Sequence, residues 1–342
     1  MIFVTGGTGM VGAHLLYDLV SQGEKVRALK RPGSSIQRTE KIFAFYNSAY
    51  QLLMRNIEWV EGDILEKESL RELLAGVDQI YHAAAIISFD PRDRATMIHN
   101  NCVGTANLVD LALSLQIPRF CHVSSIAAIG SSPEGIAANE DHPWRNKRDH
   151  SAYAESKYLS EMEVWRAIFQ GLNAVIVNPS VIIGPGDWKS GSSILFYTVW
   201  KGLKFYTKGG TGFVDVRDVT AAMRLLMEDD VWDNVKNQRY ILNAEDVTFR
   251  EFFDQIADCI HVKRSRFFAG GTLLQLAWRL SAFKSFLTGI RPPITRETAR
   301  SANQLSYYDG SKICRTIGFE YTPVEVSIRN ISGLFLKDFS TK

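Results

Sequence analysis

The first twenty residues constrain the fold more than any other part of this chain. An apolar run at residues 2–4 leads into a glycine-rich turn at residues 5–12, and a helix-like pattern follows over residues 13–20. Glycines at 7, 9 and 12 fit the spacing G-x-G-x-x-G, and those at 6, 9 and 12 fit the wider G-x-x-G-x-x-G. Glycine permits positive φ angles and close approach of a ligand, so amides at the helix N-terminus can face a pyrophosphate. The pattern predicts a dinucleotide-binding βα unit; its alternative is a glycine-rich turn that binds nothing.

Composition favours an enzyme or binding protein for small molecules. The chain has 342 residues, and its 39 basic and 37 acidic side chains leave a net charge of +2. Such a balance gives no broad electrostatic footprint for nucleic acid, so no nucleic-acid partner is expected. The four cysteines show no C-x-x-C spacing and the seven histidines no close pair, which predicts no metal site. No basic leader precedes the first strand, and a reduced, cytoplasmic protein is expected.

Strand and helix patterns alternate through the first half of the chain. Besides the first βα unit, apolar or β-branched runs occupy residues 25–29, 57–60, 79–82, 120–123 and 174–177, and helical periodicity occupies residues 68–74, 95–115 and 152–169. Alternation of this kind predicts an α/β fold with a Rossmann-type, doubly wound parallel sheet. The unusually long connection at residues 33–56 is expected to contain a helix of its own.

The pattern becomes less regular after Pro179. We therefore predict a dinucleotide-binding domain over residues 1–180 and a mainly substrate-binding α+β lobe over residues 181–342, with a soft boundary that lets some elements return to the first domain. The apolar stretch 267–287 is interrupted by polar residues, which disfavours stable insertion into a membrane. It is expected to be an amphipathic helix packed on a core. The alternative is peripheral membrane contact through its apolar side chains, which are Leu273, Leu276, Trp278, Phe283 and Phe286.

The most specific chemical signal is the pair Tyr153 and Lys157. Their i, i+4 spacing places them on one face of a predicted helix. A phenol has an ordinary pKa of about 10, and a neighbouring ammonium would favour the phenolate. About thirty residues upstream, Ser124 and Ser125 follow an apolar strand, where the carboxyl edge of a parallel sheet presents side chains to a ligand. Together these residues predict an acid–base site, although a surface Tyr and Lys and turn-forming serines would have the same pattern individually.

These motifs together resemble the extended short-chain dehydrogenase/reductases, in the NAD-dependent epimerase/dehydratase group. The resemblance covers nearly the whole chain and is strongest to the dihydroflavonol-reductase-like and 3β-hydroxysteroid-dehydrogenase-like branch. The motifs that match, in chain order, are Gly6, Gly9 and Gly12, Gly62-Asp63, residues 82–85, residues 101–105, Ser124-Ser125, and Tyr153 with Lys157.

The resemblance implies a role for each of these residues. Tyr153 would be the general acid or base, Ser125 would polarise the reacting oxygen, Lys157 would also bind the nicotinamide ribose, and Asn101 would support the proton relay. Ser125 is preferred to Ser124 by counting back from Gly130. The cofactor-binding residues would be Gly6, Gly9, Met10, Val11, Gly12, Lys30, Arg31, Asp63, Ile64, Ala83, Ala84, Ala85, Tyr153, Lys157, Pro179 and Ser180. A homodimer through the helices at 95–115 and 152–169 would follow the family's habit, and the alternative is that the chain itself covers them.

The end of the second strand favours NADP(H) over NAD(H). A carboxylate there would bond the ribose 2′-hydroxyl of NAD and repel a 2′-phosphate. The sequence instead ends this strand with Lys30 and Arg31, and by resemblance an arginine at this point is typical of NADP users. NAD(H) remains the alternative, since two cations can also be a solvated strand end.

The predicted reaction is NADPH-dependent reduction of a ketone or aldehyde on a small, fairly apolar substrate. A nucleotide-sugar epimerase would use the same tyrosine, but residues 178–186 resemble the reductase branch rather than the Tyr-Phe-Asn of many epimerases. By the same resemblance, dehydratases of this group have Thr-Asp-Glu where this chain has Ser124-Ser125, so dehydration is disfavoured. Apolar residues at 194–200 could line a substrate pocket or bury one face of a helix. Asp218 is expected to cap a helix. The non-enzyme alternative is a dinucleotide-sensing regulator, which would not need Tyr153 and Lys157.

Overall fold

A parallel sheet forms the centre of the N-terminal part of the molecule. The structure is a computed structural model that describes residues 1–130, 135–144, 150–292 and 295–340. In chain order, its first elements are β1 (Ile2–Thr5), α1 (Met10–Ser21), β2 (Val26–Lys30), α2 (Gln37–Tyr46), α3 (Tyr50–Met54), β3 (Ile57–Glu61), α4 (Lys67–Leu73), β4 (Gln79–His82), α5 (Arg94–Ser114), β5 (Arg119–Val123), α6 (Ile126–Ile129), α7 (Ala152–Phe169) and β6 (Ala174–Pro179). A single 3₁₀ turn, Pro91–Asp93, precedes α5.

The second half of the described chain adds shorter strands and several helices. They are β7 (Val181–Ile183), α8 (Ile194–Trp200), β8 (Phe205–Tyr206), β9 (Gly210–Asp215), α9 (Val216–Leu225), α10 (Asp229–Val235), β10 (Gln238–Leu242), β11 (Glu245–Thr248), α11 (Phe249–Cys259), β12 (Phe267–Phe268), α12 (Gly271–Thr288), α13 (Arg296–Ser301), α14 (Ser311–Ile317) and α15 (Val324–Ser340). A second 3₁₀ turn, Gly191–Ser193, leads into α8.

The strand order confirms the predicted doubly wound sheet. Over the described residues, seven strands are ordered β10-β6-β5-β4-β1-β2-β3, and each neighbouring pair is parallel. The order reverses between β1 and β4, and ligands of such sheets bind outside the carboxyl ends of the strands at this point. The turn after β1 and the loop after β4 therefore flank the predicted cofactor crevice.

Side chains of successive strand residues pack into two different cores. Val4 of β1 packs with Leu15, Leu19 and Met223 from α1 and α9, whereas its neighbour Phe3 joins the core formed with α5 and α7. This alternation follows from the two-residue period of a strand, and it covers both faces of the sheet with helices. The helices α5 and α7 pack against each other within the chain.

The C-terminal lobe has its own core and its own small sheets. β11, β9 and β7 form a three-stranded sheet, and β12 pairs with β8. Phe213 stacks on Phe252 with 4.2 Å between ring centroids, and Phe196 and Val199 of α8 are buried in the same core. Two side chains of α8 therefore serve packing. β10 returns from this half of the chain to the edge of the central sheet beside β6.

One local expectation is confirmed and extended by the structure, and another is wrong. The connection at 33–56 contains two helices, α2 and α3, and the Thr39 hydroxyl of α2 donates to the Gly7 carbonyl at 2.9 Å. The N-cap of α9 is Asp215, which accepts from the Arg217 amide at 2.8 Å; Asp218 instead accepts from Thr322. Asp215 lies at the strand end just before the helix, which is the position whose side chain can reach the free amides.

The expected burial of the 267–287 segment is also wrong. It forms α12, but Leu273, Leu276, Leu280 and Phe283 are exposed rather than packed on a core. The side chain of Phe286 lies outside the described part of the structure. No helix in that described part is long and apolar enough to cross a membrane.

Candidate active site

The turn between β1 and α1 is shaped so that only glycine fits at two of its positions. Gly6 has a φ of +75°, and a Cβ placed on it would lie 2.7 Å from the Ala83 carbonyl carbon. A Cβ on Gly12 would lie 2.1 Å from the Gly6 carbonyl oxygen. Both distances are far inside van der Waals contact, so the turn requires a hydrogen at each position. The result is a tight backbone loop that leads straight into α1.

The N-terminus of α1 fits a bound pyrophosphate. Gly9 is its N-cap, no side chain of the described residues caps it, and its first turn contains no acidic residue. The first amides of a helix have no intrahelical partner, and the helix dipole makes this end positive. Met10, Val11 and Gly12, which sequence reasoning assigned to the cofactor, supply these amides. The structure thus places a helix end with free amides, of the kind that suits an anion, at the reversal point of the sheet.

The loop after β4 is fixed against this turn by hydrogen bonds. The amide of Ala83 donates to the Thr5 carbonyl at 3.3 Å, and the amide of Ala84 donates to the Thr5 hydroxyl oxygen at 3.2 Å. Farther along, Asn101 holds Ile86 twice: its Oδ1 accepts from the Ile86 amide at 2.7 Å, and its Nδ2 donates to the Ile86 carbonyl at 2.9 Å. Asn101 therefore shapes the crevice wall that includes Ala83–Ala85.

Tyr153 and Ser125 meet beside the end of β5. Ser151 caps α7 by accepting from the Ala154 amide at 2.9 Å, and this puts Tyr153 in the first turn of the helix. The Tyr153 side chain is hydrogen-bonded to Ser125, and its ring packs edge-on against Phe89 at 5.8 Å between centroids. Burial raises the pKa of Tyr153, and the hydrogen bond to Ser125 opposes that rise. The phenol therefore stays protonated at neutral pH.

Lys157 lies on the same helix and is held by backbone. It is 5% exposed, and its Nζ donates to the Val123 carbonyl at the end of β5 at 2.9 Å. Burial lowers the pKa of Lys157 to about 8, against the effect of Glu161, which raises it. The expected lowering of the phenol pKa by this ammonium is wrong for the protein chain itself, because desolvation of Tyr153 dominates.

The structure separates the two neighbouring serines. Ser124 is buried and its hydroxyl donates to Glu161 Oε2 at 2.6 Å, whereas Ser125 faces Tyr153 and also accepts from the Ala127 amide at 3.1 Å. The Ser124 hydroxyl is thus used in a buried hydrogen bond, and Ser125 is the serine that faces Tyr153.

A buried carboxylate behind the site was missed by sequence reasoning. Glu161 is fully buried, and its oxygens accept from Asn178 Nδ2 at 2.7 Å, Arg239 Nη1 at 3.0 Å and Trp165 Nε1 at 3.2 Å, as well as from Ser124. These partners tie α7 to the ends of β5 and β6 and to β10. The available signal was its position four residues after Lys157, on the same helix face.

Replacing Glu161 with glutamine is expected to lower the free energy of unfolding by about 3 kcal/mol. In either orientation, the NH₂ of the new glutamine would face groups that also donate, so hydrogen bonds are lost. The Arg239 guanidinium would also lose its carboxylate partner. Chemical denaturation of the two proteins measures the difference. The matched control is Glu163→Gln on the same helix, whose partner is the more exposed Arg166 and whose cost should stay below about 1 kcal/mol. Equal costs for both variants would contradict a structural role for the Glu161 network.

The remaining predicted cofactor residues lie around the same edge of the sheet. The Asp63 carboxylate accepts from the Leu65 amide at 3.0 Å, and a Cβ on Gly104 would lie 2.4 Å from Ile64 Cδ1, so Ile64 packs closely on α5. Pro179 ends β6, and the Ser180 amide donates to the Leu242 carbonyl at 2.9 Å. Among the described residues no cluster of three His, Cys, Asp or Glu side chains could hold a metal ion.

The two cations at the end of β2 differ in their surroundings. The Lys30 ammonium forms an ion pair with Glu61 on the adjacent strand, whereas Arg31 is exposed at the start of the following loop. Sequence reasoning had named both as cofactor-binding residues, with Arg31 at the position typical of NADP users, but it could not show that Lys30 has a partner on the adjacent strand.

Comparison with known proteins places this arrangement in a family. The model of the NAD dependent epimerase/dehydratase family matches residues 2–241. The chain belongs to that family. Its fold is that of an extended short-chain dehydrogenase/reductase, and such enzymes are NAD(P)-dependent oxidoreductases.

Relatives cover most of the chain. A protein of Synechocystis sp. named for dihydroflavonol 4-reductase is 31% identical over 95% of this chain and 92% of its own length. Sterol demethylase protein B of Methylococcus capsulatus is 30% identical over 80% of this chain and 78% of its own length. The crystal structure of gox2253 superposes with a TM-score of 0.80 at 27% identity, covering 99% of this chain and 98% of that one. The predicted resemblance to the reductase branch is thus confirmed.

Proposed function

We propose that this enzyme reduces a ketone or aldehyde on a small, fairly apolar substrate with NADPH. The observation that carries the proposal is the half-buried phenol of Tyr153, whose pKa is raised and which is hydrogen-bonded to Ser125 at the carboxyl edge of the sheet. A phenol that keeps its proton at neutral pH is suited to donate it to an oxygen that gains negative charge. Reduction of a carbonyl group creates such an oxygen.

The residues of this chain divide the work of that reaction. Bound NADPH would supply the hydride, and the α1 N-terminus with Gly6, Gly9 and Gly12 would hold its pyrophosphate. Ser125 would donate to the substrate oxygen and orient it, and Tyr153 would transfer its proton to that oxygen. Lys157, held by Val123, would bind the nicotinamide ribose and keep a positive charge near the phenolate that remains. Asn101 would keep the loop at Ala83–Ala85 in place and support return of a proton to the tyrosine.

The surroundings of Tyr153 support an apolar substrate. Phe89 contacts the tyrosine ring and is itself exposed, and Ile87, two residues earlier in the same loop, is exposed as well. One relative is named for the reduction of a dihydroflavonol, and another is named for the demethylation of a sterol. Both names refer to largely apolar molecules. The solved epimerases and dehydratases similar to this chain are below 25% identity and share the fold. A carbonyl compound with an aromatic or aliphatic body therefore fits this site better than a nucleotide sugar.

Arg31 is proposed to bind the 2′-phosphate of NADPH. It is exposed at the end of β2, whereas Lys30 is already paired with Glu61. Replacing Arg31 with glutamine should weaken NADPH binding about 10- to 100-fold and leave NADH binding unchanged, because one charge-assisted hydrogen bond to phosphate is lost. Fluorescence titration of both cofactors measures this.

Lys30→Gln is the control for that experiment and should change the NADPH affinity much less. Tighter binding of NADH than of NADPH by the unaltered protein would contradict the cofactor assignment. The substrate class is then tested by screening aromatic and aliphatic carbonyl compounds beside nucleotide sugars with the preferred cofactor. If only nucleotide sugars are turned over, the proposed carbonyl reduction is wrong and the enzyme is an epimerase.

A further inference from the structure

Helix α12 turns an apolar stripe away from the protein. Leu273, Leu276, Leu280 and Phe283 are each between 42% and 62% exposed. Their spacing of three and four residues sets them in one line along the helix. We call these four residues the outer stripe. Leu274, Trp278, Ser281 and Ser285 lie on the opposite side and are partly buried, so the helix rests on the chain through that side and packs on α13.

Basic side chains flank the outer stripe, and acidic ones are missing from this part of the sequence. On a helical projection Arg279 falls on one side of the stripe and Lys284 on the other. Residues 259–296 contain seven lysines and arginines and no aspartate or glutamate, namely Lys263, Arg264, Arg266, Arg279, Lys284, Arg291 and Arg296. Two of these are paired with acids from outside the segment, Arg264 with Asp258 and Arg291 with Asp93. The segment that carries α12 is therefore basic, and the exposed side of α12 is apolar.

We propose that α12 docks this enzyme on the surface of an anionic lipid bilayer. Leucine and phenylalanine side chains of the outer stripe would enter the boundary between headgroups and acyl chains. Arg279 and Lys284 would reach lipid phosphates from either side of the stripe. Charge decides between this partner and a second copy of the chain, because two stripes facing each other would bring cations together. The absence of a spanning helix among the described residues agrees with docking on the surface.

The docked surface adjoins the proposed active site. The carbonyl of Gly289, just after α12, accepts from Arg92 Nη1 at 3.3 Å, and Arg291 pairs with Asp93 at 3.0 Å. These partners belong to the turn that follows Phe89, whose ring contacts Tyr153. Ile290 is 65% exposed at this end of the helix. A docking surface next to the active site suits a carbonyl substrate that is dissolved in the bilayer. This assignment of the substrate class rests on the proposed function.

Vesicle binding tests the docking surface without any reaction. Full-length protein is sedimented with vesicles of phosphatidylcholine alone and with vesicles that also contain phosphatidylglycerol. We expect binding to the anionic vesicles and a more than tenfold loss of it in the double variant Leu276→Glu, Phe283→Glu. Leu52→Glu with Phe169→Glu changes two exposed apolar residues elsewhere and should bind as the unaltered protein does. Arg279→Gln with Lys284→Gln should remove the preference for anionic lipid.

Three results would overturn the proposal: no binding to either vesicle, equal binding by the stripe variant, or a dimer of the unaltered protein that the stripe variant abolishes. The last would assign the stripe to a second copy. In parallel, NADPH oxidation with a water-soluble carbonyl compound should be the same in the stripe variant and the unaltered protein. If no carbonyl compound is reduced, the proposed function fails while the vesicle result still decides the docking surface.

Discussion

Replacing Tyr153 with phenylalanine is expected to lower kcat for carbonyl reduction by about 10²- to 10⁴-fold. The substitution removes the only atom of this side chain that can deliver a proton and leaves the ring against Phe89. The affinity for NADPH should change little, because the turn after β1 and the N-terminus of α1 stay as they are. Steady-state kinetics and cofactor titration on the same preparation separate the two quantities.

Tyr158→Phe provides the matched control for this experiment. Tyr158 lies on the same helix and stacks on Trp144 at 4.3 Å between ring centroids, so it loses only a hydroxyl in the variant. Its turnover should match that of the unaltered enzyme. Retention of turnover by the Tyr153 variant would remove the general acid from the mechanism and leave the geometry at Ser125 without a function.

Acid is expected to destabilise the protein through histidines buried as neutral rings. Burial lowers the pKa of His14 to about 4 and that of His82 to about 3, and it also lowers the pKa of His122. Below about pH 6.5 the unfolded chain takes up protons at these rings and the folded chain does not, so stability falls with pH. From pH 7 to pH 5 each of His14 and His82 costs about 2 kcal/mol, and together about 4 kcal/mol.

Substitution isolates this effect from the other titrating groups. The free-energy difference between the unaltered protein and His14→Gln or His82→Gln should shift by about 2 kcal/mol between pH 7 and pH 5, toward the variant. Between pH 7.5 and pH 8.5 the same difference should stay constant, because the imidazoles are neutral in both states. Urea unfolding at each pH supplies the values. A difference that does not move between pH 7 and pH 5 would show that these rings are protonated in the folded protein.

The sequence predicted the cofactor half of the fold well because its signals are local. Helix α7 begins and ends at the expected residues, and β4 does so as well, since each combines a clear period with a cap or a following loop. The turn requires glycine at positions 6 and 12, because the backbone there lies too close for a Cβ. Such features depend on neighbours in the chain, which a single sequence displays.

The missed features depend on partners that are distant in the chain. Glu161 binds Arg239 from another strand, and Lys30 pairs with Glu61 across the sheet, so neither environment can be seen from spacing. The pKa of Tyr153 follows from burial, which the residue pattern does not measure. The periodicity of α12 was recognised, but periodicity alone does not tell whether the apolar side faces the core or the exterior.

The return of β10 has a consequence for anyone who wishes to shorten this protein. Residues 174–179 of β6 are all buried, and β10 covers their outer edge from a part of the chain about sixty residues later. A truncated protein that stops at residue 180 would leave β6 as an open, apolar edge strand, the kind of surface on which chains aggregate. During synthesis the same edge stays unpaired until residues 238–242 have been made. The cofactor-binding half therefore cannot finish folding before much of the lobe has been synthesised.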